Sequence, residues 1–357
     1  MAGKSALLAA IALACLGAGT ATAGDFYHLR TLSVLPGKAP GWDYLSLDSG
    51  RGYLFMGRRH DGVTVFDVDQ NKVVGHIERS EGANMATLVP SVDRGYTTNN
   101  DGSTTVFQLS TLKTLDRVKL GEDADAAYFE PVSGQLAFMR GDSQAITFVD
   151  ARTAAKVGEL HTQSDSLEAA AADGHGALFV SERDRNAVLK VDVAAEKIVA
   201  EWPTQGCEAP TGMAYDAADG RVFAGCRGAA PVIAVLDAAT GKTITTLPIG
   251  HGNDGVVYDA ATKRLFASNG IDGNLVIYRQ TDADHYALDQ AVTTRPMART
   301  MAYDPRSGDV YLVTAQGVVD PSKKVNTEAG PFYPNTYFDD TYTLLTFTQK
   351  PGAAAVK

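Results

Sequence analysis

The sequence predicts an all-β fold, a seven-bladed β-propeller whose last blade is closed by the N-terminal strand. The first observation is a repeat traced by one aromatic per unit: Phe55, Tyr96, Phe138, Phe179, Phe223, Phe266 and Tyr311, with successive gaps of 41, 42, 41, 44, 43 and 45 residues. A period of that length, filled with four short strands, marks a propeller blade. The second is that apolar residues within a unit alternate with a period of two, the value for strands and not for helices. The third is that the two ends of the chain hold complementary parts of one unit.

Residues 1–23 are expected to stand outside this fold. Lys4, the apolar run from Ala6 to Leu16 and Ala21-Thr22-Ala23 before Gly24 have the charge, length and small-residue ending of a cleavable secretory signal. The run is too short to remain as a bilayer anchor. Cys15 follows Ala12-Leu13-Ala14 and lacks the leucine three positions earlier that a lipid-attachment site expects. Residues 24–357 are expected to form a single propeller domain, because propellers grow by adding blades around a channel instead of enlarging one core. No later segment is apolar enough to cross a membrane as a helix, so the mature chain is read as an exported, periplasmic or secreted monomer with no transmembrane anchor.

Residues Phe26 to Leu35 resemble a fourth strand, D, as in Lys72 to Ser80. The first full unit then divides into strand A (Asp43 to Leu47), a turn at 48–51, strand B (Tyr53 to Met56), a loop at 57–62, strand C (Val63 to Asp67), a turn at 69–71 and strand D (Lys72 to Ile77). Strand C keeps the beat at Val65-Phe66-Asp67, Val106-Phe107-Gln108, Phe148-Val149-Asp150, Lys190-Val191-Asp192 and Val235-Leu236-Asp237. Asp, Asn, Gly and Lys crowd the A to B and C to D turns, as hairpins with positive φ require. The Ala-rich run at 169–172 is too short for a helix and falls on a strand A. The last unit has strand A (Thr300 to Asp304), strand B (Asp309 to Val313), an insertion from about 315 to 340 and strand C (Thr341 to Thr348), but no strand D. The N-terminal strand supplies it, and closure removes sheet edges that would invite aggregation.

The formal net charge is −10, and loss of Lys4 with the leader moves it to −11. This balance repels phosphate backbones and argues against a nucleic-acid partner. Of three cysteines, the leader carries one, which leaves Cys207 and Cys226. In an oxidising compartment only one intramolecular pairing exists for them. Cys207 precedes strand A of blade five and Cys226 ends its strand B, so one hairpin brings them to the same rim. A Cys-based metal site or redox dithiol would need a CxxC spacing or nearby His pairs, and neither is present.

Gly41-Trp42-Asp43-Tyr44-Leu45, Cys207-Glu208-Ala209-Pro210-Thr211-Gly212-Met213-Ala214, Leu265-Phe266-Ala267-Ser268-Asn269-Gly270 and Arg299-Thr300-Met301-Ala302-Tyr303-Asp304-Pro305 resemble the blade openings of the exported YncE-like, or YVTN-repeat, propellers. The resemblance runs from Gly41 to Phe347. It implies the fold and export, and no agreed reaction. The namesake Tyr-Val-Thr-Asn is matched only in outline, by Tyr96-Thr97-Thr98-Asn99 and Phe266-Ala267-Ser268-Asn269.

In a propeller the D to A and B to C loops share one face around the channel mouth. These loops carry Trp42, Asp43, Arg58, Arg59 and His60 from blade one, and Asn84, Asn99 and Asn100 from blade two. Blades three to five add Asp125, Arg140, Glu168, Glu182, Arg183, Glu208 and Arg227, and blades six and seven add His251, Asn253, Asp254, Asn269, Arg295 and Arg299. Such charges can simply satisfy one another, since buried charges persist only when paired. Alternatively they bind a polar ligand or a hard divalent cation such as calcium through oxygen atoms. Matching to the blade-opening motifs favours Asp43, Glu208, Asp254 and Arg299. Trp42, His60, Glu168, Glu182, Arg227, His251 and Asn269 complete the candidate set, and no catalytic residue is assigned.

No HExxH, His-x-His, GxSxG or CxxCH occurs, and Trp42 and Trp202 alone cannot make the tryptophan-rich repeats of quinoprotein propellers. The expected function is therefore binding or scaffolding through the channel-mouth face, with a small polar ligand or a protein as partner. The alternative is a metal-assisted, lactonase-like hydrolase or a lyase, with acidic ligands, a His base and Arg227 or Arg299 holding a carboxylate.

Overall fold

The computed structural model describes residues 26–38, 41–323 and 333–349. The expected leader, with Cys15, and the middle of the insertion lie outside these residues. Seven four-stranded antiparallel sheets are present, each ordered A-B-C-D from its first strand. Blade one is Trp42–Asp48, Tyr53–Arg58, Gly62–Asp67 and Lys72–Ile77. Blade seven combines Met301–Asp304, Asp309–Thr314 and Tyr342–Thr348 with His28–Leu35, which pairs antiparallel to Tyr342–Thr348 with one bulge at Arg30. The N-terminal strand thus fastens the ring as the sequence predicts.

The aromatic beat has a packing cause. Phe179, Phe223 and Phe266 on successive B strands meet Tyr215, Tyr258 and Tyr303 on the A strand of the following blade, with ring centroids 5.2, 5.2 and 5.3 Å apart. At these three interfaces one large ring per unit is buried on the neighbouring blade, and such pairs contribute beyond their buried area. Inner strands are covered by blades on both faces, so Gly62–Asp67 is buried throughout. The outermost Lys197–Pro203 alternates between exposed and half-buried positions, because one of its faces meets solvent.

The recurrent acid at strand ends is a turn device. Asp67 accepts from the amides of Asp69 and Gln70 at 3.0 and 2.8 Å, Asp150 from Arg152 and Thr153 at 3.0 and 2.7 Å, and Asp237 from Ala239 and Thr240 at 3.2 and 2.9 Å. Each satisfies the amides of the C to D turn locally.

Cys207 and Cys226 form a disulfide across the blade-five hairpin, with Cα atoms 5.5 Å apart, and both are buried. The described ends of the insertion pair as a short ribbon, Gly317–Val318 against Thr336–Tyr337. This ribbon reaches the channel mouth: Tyr337 packs edge-on against Trp42 at 5.0 Å, and the Tyr333 hydroxyl donates to the Ile271 carbonyl. No helix among the described residues is long and apolar enough to cross a membrane.

Candidate ligand-binding site at the channel mouth

The site begins with a bulge at the start of strand A. In five blades the A to B register slips at the start of strand A, across Asp43-Tyr44, Asn84, Glu168-Ala169, Thr211 or Asp254. A bulge leaves such residues out of the ladder and re-aims their side chains, a device common beside active sites. Asp125 and Thr300 hold the equivalent places in blades three and seven.

A second repeated contact adds the cations. The residue after strand B donates its amide to the carbonyl two positions before the first bulged residue, Arg59 to Gly41, Arg183 to Ser166 and Arg227 to Ala209, at 2.8, 3.0 and 3.1 Å. Three arginines are thereby held beside the ring of acids. Gly252 and Gly270 make room between them. Gly252 has a φ of 76°, and a Cβ on Gly270 would stand 2.8 Å from the Cβ of Arg299.

The result is a chain of polar contacts around the mouth. Asp125 accepts from Asn84 Nδ2 at 3.2 Å, Asn84 Oδ1 accepts from Arg59 Nε at 2.7 Å, and Arg59 Nη2 donates to Asp43 at 2.7 Å. Asp43 faces Arg299 at 3.7 Å, and the Arg299 Nε meets Asp254 Oδ2 at 2.5 Å. The other oxygen of Asp254 pairs with Arg227, whose Nε donates to the Asn253 carbonyl at 2.7 Å. In blade four, Glu168 lies 3.4 Å from Arg183 and accepts from Ser166 Oγ at 3.0 Å. These groups surround a cavity of about 310 Å³, lined also by Tyr44, Ile271 and Met297.

Burial is the main cause of the electrostatic shifts there. It raises the Asp43 carboxyl above its ordinary range, with Asp254 adding to the rise and Arg299 and Arg59 opposing it. Asp125 is pushed well up by burial and by the negative charges of Asp43 and Glu168, and Glu168 is raised by burial and by Asp254. Desolvation and adjacent carboxylates likewise raise the Tyr44 hydroxyl.

Of the residues singled out in the sequence, Asp43, Glu168, Arg227, Asp254 and Arg299 line this cavity. Trp42 lies buried behind it, its carbonyl accepting from Arg299 Nη2 at 2.9 Å and its ring 5.8 Å from the guanidinium. Glu208 and His251 line an adjoining cavity of about 440 Å³ that shares Arg227, Gly252 and Ile271. His251 is exposed there and hydrogen-bonds Asp272 at 3.0 Å, while His60 is exposed on its loop.

Glu182 and Asn269 are placed elsewhere. Both end a B strand, one residue before the position that reaches the channel, so the pleat turns them into the sheet. Asn269 is fully buried among Ala267, Asn274 and Asn253. Glu182 is 1% exposed, with Arg185 at 3.7 Å, and burial followed by the charge of Glu201 raises its carboxyl to about 7.

Asp125, Arg59 and Arg183, placed on the channel-mouth loops but not chosen, and Tyr44 join the site. The signal for Asp125 was register, since residues 43, 84, 125, 168, 211 and 254 share one place in the repeat; that for Arg59 and Arg183 was the place just after strand B that Arg227 also holds. Among the described residues no group of three or more His, Cys, Asp or Glu side chains is arranged to hold a metal ion.

No protein-family model matches the chain, and no curated protein matches it in sequence. Solved structures match in fold. Hydrazine synthase from Kuenenia stuttgartiensis aligns at 15% identity over 78% of this chain and 94% of its own, with a TM-score of 0.66. A chain of the mitotic checkpoint complex aligns at 13% identity over 99% of each chain, with a TM-score of 0.70. The RRP9 WD40 repeats align at 8% identity over 90% of this chain and all of theirs, also at 0.70. At these identities the likeness shows one thing, the seven-bladed propeller.

Proposed function

We propose that this chain is an exported, YncE-like propeller that binds a small polar ligand in the channel-mouth cavity. The observation that carries the reading is convergence. Four carboxylates and four arginines, drawn from six blades and the loops that precede them, line one cavity of about 310 Å³. Convergent polar groups around the best-formed concavity are the usual mark of a ligand site. The Cys207–Cys226 disulfide and the leader-like N-terminus support an oxidising compartment outside the cytoplasm. The propeller of the mitotic checkpoint complex offers the analogy for a protein partner, whose polar side chain would enter the same cavity.

The hydrolase alternative draws less support. His60 and His251 do not line the main cavity, and of the acids there Asp43, Glu168 and Asp254 are engaged by arginines and Asp125 by Asn84. A hard cation such as calcium would have to displace those pairs.

The test is thermal melting, with Trp42 emission read in a Trp202→Phe background, against polar metabolites and divalent cations. A bound ligand stabilises by about 2.7 kcal/mol at a hundred times its Kd, and the Trp42 ring behind Arg299 should report its arrival. A panel that moves neither signal would overturn the reading.

A further inference from the structure

Three hydrogen-bond acceptors lie together at one side of the central cavity. Asp125, Glu168 and Tyr44 all line it, and both carboxylates raise the Tyr44 hydroxyl as Glu168 raises Asp125. Asn84 donates to Asp125 Oδ1 at 3.2 Å, while Ser166 and Arg183 both donate to Glu168 Oε1, at 3.0 and 3.4 Å. Among the described residues nothing donates to Asp125 Oδ2 or Glu168 Oε2, and the Tyr44 hydroxyl has no partner. Asp43, Asp254 and Glu168 each face an arginine, whereas the described partner of Asp125 is the neutral amide of Asn84. Asp125 and Glu168 also line an adjoining cavity of about 450 Å³, which adds Asp123, Asp142 and Asp165 and, among its described lining residues, one cation, Arg59.

From these open acceptors we infer that the ligand is a primary amine, its ammonium group seated among Asp125, Glu168 and the Tyr44 hydroxyl. This rests on the ligand-binding reading and narrows it to one chemical class. A primary ammonium carries three N–H donors and no acceptor, so each donor has one open oxygen to meet. Such charge-assisted bonds are roughly twice as strong as neutral ones. An alcohol brings one donor, a carboxylate brings none, and a quaternary ammonium brings charge without a donor. The bonds from Asn84 and Arg183 stay in place, because they use the other oxygen of each carboxyl. Burial and the charges of Asp43 and Glu168 hold the Asp125 carboxyl well above its ordinary range, and an arriving cation offsets both causes. The acid-lined neighbouring cavity draws cations towards the site. Ile271 and Met297 offer contact to a short carbon skeleton, which a cavity of about 310 Å³ can hold.

The experiment compares four probes on one skeleton by titration calorimetry with the whole protein: butylamine, butan-1-ol, butyrate and butyltrimethylammonium, repeated on shorter and longer chains. The expected result is that at least one primary amine binds about tenfold or more tightly than its alcohol, acid and trimethylated counterparts. Asp125→Asn should weaken that amine about tenfold or more. Tyr44→Phe keeps the ring and removes one acceptor, and it should weaken the amine about threefold or more. This second variant decides the matter if Asp125→Asn misfolds. An alcohol, acid or trimethylated ammonium that binds as tightly as its amine overturns the inference, as does an amine whose affinity neither variant changes. Binding of a sugar or an acid from the metabolite panel, with no amine bound, would also overturn it while leaving the cavity reading intact. Silence across the amines and the metabolite panel would overturn both.

Discussion

Asp254 is held from two sides, by Arg227 and by Arg299, and Arg299 also leans on Asp43, which has Arg59 as a second partner. This redundancy separates binding from folding. Removing one member of an isolated buried pair costs about 3–5 kcal/mol. Arg299→Gln leaves each acid with another arginine, so its loss should be nearer 1–3 kcal/mol, read from the urea midpoint, while ligand binding disappears. A loss of stability at the larger figure with binding retained would make these charges structural. Glu182 gives a pH prediction of the opposite kind. Its carboxyl is raised from 4.5 to about 7 by burial, so the folded chain holds this proton more tightly than the unfolded chain does. The associated stability is complete below about 4.5 and is lost as pH rises through about 7. Glu182→Gln should therefore raise the unfolding free energy at pH 8, by at most about 3 kcal/mol, and change it little at pH 4. An equal effect at both values would locate the benefit in packing instead of ionisation.

At the scale of the element, the hairpin from Pro210–Asp216 to Arg221–Cys226 carries the disulfide. Its nineteen-residue separation closes a loop worth about 3 kcal/mol by the chain-entropy model. The Cys207→Ser, Cys226→Ser double variant should lose about that much, and mass spectrometry should find no free thiol in the exported wild type. Two free thiols there would contradict the pairing. The same hairpin shows how the pleat sorts adjacent residues, the point on which Glu182 was chosen and Arg183 passed over. Cys226 and Arg227 are adjacent, yet one points into the sheet interface and the other into the channel cavity. Blade four repeats the pattern with Glu182 and Arg183. A loop assigned by motif alone does not say which of two neighbours faces the axis, because that depends on where the strand pleat ends.

At the scale of the whole molecule, the N-terminal strand joins the ends of the chain. Besides its ladder with Tyr342–Thr348, Tyr27 exchanges two hydrogen bonds of 2.7 Å with the Gln290 side chain, and its hydroxyl donates to the Gly308 carbonyl at 3.0 Å. It therefore ties blade six to blade seven as well as completing the latter. Deleting residues 26–40 should broaden the melting transition or cause aggregation, since strand Tyr342–Thr348 would be left as an open edge. Unchanged cooperative melting of that truncation would show that the ring closes without this strand.

The repeat of Phe55 to Tyr311, the missing last strand and the two remaining cysteines were legible in the sequence because each follows from local chemistry. Alternation makes strands, Asp and Gly make turns, and one large aromatic per unit demands a neighbouring blade to cover it. The acids at the blade openings were legible as candidates for the same reason, since their spacing is the repeat itself. Their partners were not. That Arg59 meets Asp43 across one blade, that Arg299 joins Asp43 to Asp254, and that Tyr337 of the insertion lies against Trp42 depend on ring closure, bulge geometry and the path of an insertion. Those contacts join residues up to some 295 positions apart, from Trp42 to Tyr337, and no local propensity encodes them. The chain specified seven blades by its own periodicity; only their closure into a ring decided which charges would face one another across the channel.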